Sequence, residues 1–140
     1  GDLPLYTQDL DSESIPAYER VRAQLQAADA VLIVSPEHNR SMPAAVKNLL
    51  DIASRPAGKS LWGGKKTAVV TASPGSYGGI NSGLHIRQSL QAMSADVMIA
   101  PEVFLSRAHT ALADGQVSDA RTAAFLNKFA AAFYAWAQAE

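Results

Sequence analysis

Two stretches carry more polar chemistry than a simple connection needs. Ser35-Pro36-Glu37-His38-Asn39-Arg40-Ser41-Met42-Pro43 follows one apolar run, and Ser73-Pro74-Gly75-Ser76-Tyr77-Gly78-Gly79 follows another. In the first, backbone groups and the Asn39 amide can hydrogen-bond a flat heterocycle. The plainer reading is a strand-to-helix connection with Asn39 as its turn residue. The second has the context of a nucleophile elbow, but an elbow needs Gly-x-Ser-x-Gly. Pro74 takes the first glycine position, which disfavours Ser76 as a nucleophile and with it a serine hydrolase. Gly75, Gly78 and Gly79 do not form Gly-x-Gly-x-x-Gly, so there is no dinucleotide fingerprint. His38, His85 and His109 lack metal-ligand spacing. Cysteine is absent, which excludes disulfides, thiolate metal sites and cysteine nucleophiles and suits a reducing compartment.

The elements that position these loops are read from periodicity. Ile15-Pro16 opens a helix with Ala17, Val21, Leu25 and Ala28 on one stripe. Ala30-Val31-Leu32-Ile33-Val34 is a continuous run rich in β-branched residues, the pattern of a strand buried on both faces of a parallel sheet. Ser41 is predicted to cap a helix that begins near Met42-Pro43, turns Val46, Leu49, Leu50 and Ala53 inward and ends at Arg55-Pro56-Ala57-Gly58. Thr67-Ala68-Val69-Val70-Thr71 is a second buried strand. A helix over residues 80–93 carries Ile86, Leu90 and Met93, and Asp96-Val97-Met98-Ile99 is a weaker third strand. After a turn at residues 113–116, a helix over 118–138 aligns Phe125, Phe129, Phe133 and Trp136 as a core-facing stripe. Helices and strands alternate, which predicts an α/β fold with a parallel sheet covered on both faces. Ligands in such sheets bind beyond the carboxyl ends of the strands, so the two polar loops should share one rim.

The 140 residues are the size of one domain, and 48% hydrophobic against 18% charged is enough to fill a core. The net charge is −1, without a basic run, which excludes an electrostatic nucleic-acid binder. The longest apolar run is far too short to span a membrane. Trp62, beside Leu61 and Gly63-Gly64, reads as a partner contact, a lid or local packing. Lys65-Lys66 reads as a solvated strand entry.

Ser35-Pro-Glu-His-Asn-Arg-Ser-Met-Pro-Ala-Ala-Val-Lys-Asn-Leu-Leu-Asp51, followed by Ala53-Ser54-Arg55-Pro56, resembles the second flavin loop and following helix of the NAD(P)H-dependent FMN reductase family. That family comprises flavodoxin-like chromate, quinone and azo-dye reductases, and its loop reads Pro-Glu-Tyr-Asn. Ser73-Pro74-Gly75 through Gly78-Gly79, with His85-Ile86-Arg87-Gln88, resembles the family's next loop and helix. Asp2-Leu3-Pro4-Leu5-Tyr6 resembles the segment after its second strand. The resemblance implies a flavodoxin-like three-layer sandwich. It implies FMN as cofactor, with NADPH or NADH as a transient donor and a small acceptor such as free flavin, a quinone, chromate or an azo compound. Pro36, Glu37, His38 and Asn39 would line the isoalloxazine, largely through backbone groups. Ser73, Pro74 and Gly75, in the same loop as Gly78, would approach its other edge, with Arg40 and Ser41 at the mouth. No catalytic acid or base and no metal is implied, because the cofactor brings the redox chemistry. The resemblance also implies a cytoplasmic homodimer or homotetramer, with the helix after Gly79 and Trp62 as candidate contacts, and neither nucleic acid nor membrane as a partner. The alternative is a flavodoxin-like flavin-binding or electron-transfer module without reductase turnover; electron-transfer flavodoxins tend to be acidic, and a net charge of −1 argues against that role.

Three departures from the family pattern stand out. His38 replaces the usual Tyr, giving a smaller wall beside the ring. Asn81 and Leu84 stand where relatives often carry Arg and a polar or aromatic residue, at positions that help form subunit contacts. The sequence opens at Gly1-Asp2 without the family's first apolar strand and its Gly-Ser-x-Arg phosphate loop. The expectation is that a strand–helix–strand unit of roughly 40 residues is missing. Residues 31–34 should then present an open edge, and this chain alone should hold FMN weakly.

Overall fold

The computed structural model describes residues 2–139. After a 3-10 turn at Gln8–Leu10 come α1 (Pro16–Ala27), β1 (Ala30–Ser35), α2 (Ala44–Ser54), β2 (Lys66–Ala72) and α3 (Ile80–Ala92). Then follow β3 (Asp96–Val97), β4 (Val103–Leu105), α4 (Ala108–Ala111), β5 (Leu112–Ala113), β6 (Gln116–Val117) and α5 (Ala120–Gln138). β1 and β2 pair in parallel from Ala30↔Lys66 to Ser35↔Thr71. The parallel α/β arrangement read from the alternation is therefore the one formed. α1, α2 and α3 pack on one face of the sheet through Leu25, Leu50, Ala53, Ile86 and Leu90, against Ile33 and Val69. α5 packs on the other through Phe129, against Ala68, Val70, Met98 and Val103.

β2 is central and buried from Thr67 to Thr71, as its unbroken apolar pattern requires. β1 is not buried on both faces. Leu32 is 42% exposed and Val34 65%, because they lie on the α5 face and the α5 cluster contains no β1 residue. β1 pairs with β2 alone, so its other edge is unpaired among the described residues.

The third strand also differs from expectation. β3 stops at Val97, and the pairing resumes at β4, both strands running parallel to β2. Between Thr67↔Val97 and Val70↔Val103, three steps along β2 are matched by six on the partner. The surplus forms a bulge, and Ile99, expected within the strand, is 84% exposed on it. A bulged edge is a poor template for pairing with another chain.

Trp62 is neither a lid nor a partner contact. It is fully buried, and its Nε1 donates to the Leu50 carbonyl at 3.0 Å. Lys65 and Lys66 are not simply solvated: Lys65 Nζ donates to the Ala28 carbonyl at 2.6 Å and Lys66 Nζ to that of Trp136 at 3.0 Å. On α5, Phe129 is buried, and Phe133 and Trp136 pack against its cluster. Phe125 is exposed instead of joining them. Asp119 caps this helix, accepting from the Thr122 amide at 2.7 Å, a bond to Thr122 that lowers its carboxyl pKa.

The segment before α1 is sewn to α2. The Pro4 carbonyl accepts from Tyr18 Oη at 3.1 Å and from Asn48 Nδ2 at 3.0 Å, while Asn48 Oδ1 accepts from the Tyr6 amide at 2.8 Å. Tyr6 Oη donates to Asp11 at 2.9 Å and accepts from Arg55 Nε at 2.8 Å, and Arg55 also pairs with Asp11. The Arg55 guanidinium holds the Asp11 carboxyl below its ordinary range, and desolvation pushes the Tyr6 phenol up. A cavity of about 220 Å³ lies beside these groups, lined among others by Tyr6, Asp11, Arg22 and Arg55. Arg22 donates to the carbonyls of Ile52, Ala53, Arg55 and Lys59. The cavity's polar groups are thus largely satisfied within the fold.

Candidate functional site

Both polar loops leave the carboxyl ends of neighbouring parallel strands, β1 and β2. They share one rim, where open α/β sheets take ligands. The first loop turns back on itself. The His38 amide donates to the Ser41 carbonyl at 2.9 Å, and the Ser41 amide donates to the His38 carbonyl at 3.0 Å. Asn39 (φ 49°) and Arg40 (φ 66°) form the turn between them. Positive φ at both central residues is the type I′ pattern, which Asn tolerates and which strains Arg.

Ser41 does not cap α2. Pro43 is the capping residue and offers no side-chain bond. The Ser41 hydroxyl instead lies 2.9 Å from His85 Nδ1 on α3. Arg40 sits 5.0 Å above the Tyr77 ring, a cation–π contact between the two loops. Pro36, His38 and Asn39 are exposed. Glu37 is half-buried, and its carboxylate points to the second loop's helix: Oε2 accepts from the amides of Asn81 at 2.9 Å and Ser82 at 3.2 Å.

The second loop rests on the segment after β4. The Ser73 amide donates to the Leu105 carbonyl, the Ala108 amide to that of Ser73, and the Arg107 amide to that of Gly75. Gly78 must be glycine. Its φ is +62°, and a Cβ there would stand 2.5 Å from the Phe104 carbonyl oxygen. Thr71 Oγ1 donates to the Gly78 carbonyl at 2.8 Å. Ser73 is half-buried, while Pro74 and Gly75 are exposed.

The structure thus brings Pro36, Glu37, His38, Asn39, Arg40 and Ser41 to the same rim as Ser73, Pro74, Gly75 and Gly78. The amides of Asn39, Arg40, Gly75 and Ser76 make no backbone hydrogen bond among the described residues. Exposed donors on two facing loops fit a flat heterocycle edged with nitrogen and carbonyl acceptors. The ties between the loops through Asn81, Ser82 and His85 were not read from the sequence. One signal was present: Gly78-Gly79 supply no capping side chain for α3, so its cap had to come from elsewhere.

A family model described as NADPH-dependent FMN reductase matches residues 1–110. A quinone reductase of Pseudomonas putida is 43% identical over 137 residues, covering 97% of this chain and 74% of that protein. A 2-hydroxy-1,4-benzoquinone reductase of a Burkholderia species is 38% identical over 137 residues, covering 97% and 75%. Among solved structures, FerB of Paracoccus denitrificans, a flavoenzyme NAD(P)H:(acceptor) oxidoreductase, superposes with a TM-score of 0.90 at 37% identity, covering 99% of this chain and 76% of that one.

Proposed function

We propose a function from one premise: this chain belongs to the NADPH-dependent FMN reductase family. It is an FMN-dependent oxidoreductase of flavodoxin-like fold that takes electrons from NAD(P)H and passes them to a small acceptor, a quinone or free flavin, in line with the names of its relatives. The observation that carries the reading is the shared rim, where two exposed loops offer free amides and are fastened to each other.

When bound, FMN would supply the redox chemistry between the nicotinamide donor and the acceptor. The chain's residues bind and orient. Pro36, Glu37, His38 and Asn39 form one wall of the ring site, chiefly through their backbone. Ser73, Pro74 and Gly75 form the other, with Gly78 allowing the loop to press against Phe104. Arg40 and Ser41 stand at the mouth, where Arg40 lies over the Tyr77 ring of the second loop. No side chain need move a proton in this scheme.

The chain acts as one flavodoxin-like domain, and the phosphate of FMN is held outside the described residues. A further parallel strand along the free edge of β1 would carry its phosphate-binding loop. The unpaired edge of β1 supports this, as does the length of the relatives, of which the chain spans about three quarters. The working form is a cytoplasmic homodimer or homotetramer that uses the exposed side of α3, including Leu84. No helix among the described residues is long and apolar enough to cross a membrane.

Titration of FMN and riboflavin tests the reading, followed by NAD(P)H oxidation with a benzoquinone. The 140-residue chain should bind both flavins weakly and with little discrimination. A polypeptide that adds the β1-edge strand and loop should prefer FMN strongly and turn over. Binding of FMN without NAD(P)H oxidation would favour an electron-transfer module, and no flavin binding by either polypeptide would contradict the reading.

A further inference from the structure

Glu37 belongs to the first rim loop by sequence and to the second by its bonds. α3 follows Gly79, an N-cap residue without a side chain to offer. Its second and third residues, Asn81 and Ser82, have amides that would lack partners at a helix start. Both donate to Oε2 of Glu37, at 2.9 and 3.2 Å, with Asn81 Nδ2 3.5 Å from Oε1. The geometry is that of an N-cap, supplied from more than 40 residues away in the chain. A carboxylate suits the place because the helix N-terminus carries partial positive charge.

We infer that Glu37 is a positioning residue: its carboxylate caps α3 and thereby fixes the spacing between the two loops that line the ring. The inference rests on the flavin reading of this rim. The side chain is turned toward α3, so its effect on bound flavin passes through the two loops. Two neighbouring ties, Ser41–His85 and Arg40–Tyr77, join the same pair of segments, but one is a single hydroxyl–imidazole bond at the surface and the other a ring contact. The Glu37 bonds are charge-assisted and partly shielded, which makes them the stronger fastening.

The test compares Glu37→Gln and Glu37→Ala with the unaltered protein in the polypeptide that binds FMN. Gln keeps one acceptor oxygen without the charge, and Ala keeps neither. FMN affinity should fall about tenfold or more in the Ala variant and less in the Gln variant. The visible circular dichroism of bound flavin should change in the same order, and the flavin-free melting temperature should fall in that order too, as the loss of a helix cap requires. Without flavin, amide exchange should quicken at Asn81 and Ser82, and also at His38 and Ser41 in the opposite loop. Asn81→Ala, which keeps the capped backbone amide, should leave affinity near that of the unaltered protein. Equal FMN affinity and an equal flavin spectrum in all three proteins would overturn the inference. So would unchanged exchange at His38 and Ser41. If the unaltered protein takes up no flavin, the flavin reading fails, and the exchange measurement still decides whether Glu37 joins the loops.

Discussion

Trp62 Nε1 donates to the Leu50 carbonyl oxygen at 3.0 Å, with the indole fully buried between α2 and β2. A loop residue thus closes the core shared by α1, α2 and α3. Trp62→Ala should destabilise the fold by about 3–5 kcal/mol, the range for deleting a buried aromatic. Trp62→Phe should cost less, because it refills most of the volume and loses the hydrogen bond. Urea unfolding measures both. Light scattering should give the same mass for Trp62→Phe as for the unaltered protein, because no part of the indole is exposed for a partner.

Gly78 and Gly63 make a matched pair. A Cβ at Gly78 would meet the Phe104 oxygen at 2.5 Å and the Ser106 nitrogen at 2.9 Å, at a φ of +62°, whereas nothing lies within 4 Å of one at Gly63. Gly78→Ala should cost about 1–3 kcal/mol through strain and displaced backbone. It should also weaken flavin binding, since the second rim loop must shift. Gly63→Ala should stay within about 0.5 kcal/mol of neutral. Parallel denaturation curves check the contrast.

Acid should loosen the segment before α1. The bond from Arg55 lowers the Asp11 pKa in the fold, so ionised Asp11 favours the folded state above its unfolded pKa. That contribution is lost as pH falls through the lowered folded value. Asp119 at the start of α5 has the same sign, through its bonds to Thr122. Asp11→Asn should reduce stability near neutral pH and flatten the acid side of the stability curve. Melting temperatures from neutral pH down past the ordinary Asp range test this; an unchanged acid limb would contradict it.

The bulge between β3 and β4 separates two adjacent apolar residues. Ile99 is exposed and Met98 is buried against the α5 cluster. Ile99→Lys should leave the melting temperature almost unchanged, whereas Met98→Lys should sharply lower it by burying an unpaired charge.

The sheet was legible where pattern and environment agreed. The five residues Thr67 to Thr71 read as a strand buried on both faces, and β2 is central in the sheet. The apolar run alone overstated the burial of Leu32 and Val34, because it does not say whether a neighbour covers them, whereas the expected open edge at residues 31–34 agrees with the unpaired side of β1. Ile99 looked like strand because β propensity cannot see a bulge fixed by tertiary pairing. Trp62 was ambiguous because loop context says little about burial. At the rim, residue types pointed to both loops, and their order after two parallel strands placed them together. The ties between them were hidden, since Glu37 and Asn81 are far apart in sequence and local patterns carry no such information.

The central claim is that this rim holds a flavin that cycles between NAD(P)H and an acceptor. The most direct measurement is anaerobic: load the polypeptide that carries the β1-edge strand with FMN, remove free flavin, and add NADPH or NADH while following the visible flavin band. The account predicts that the band bleaches with either or both donors and returns when a benzoquinone is added. A protein that retains no FMN, or whose bound flavin keeps its colour with both donors, would contradict it.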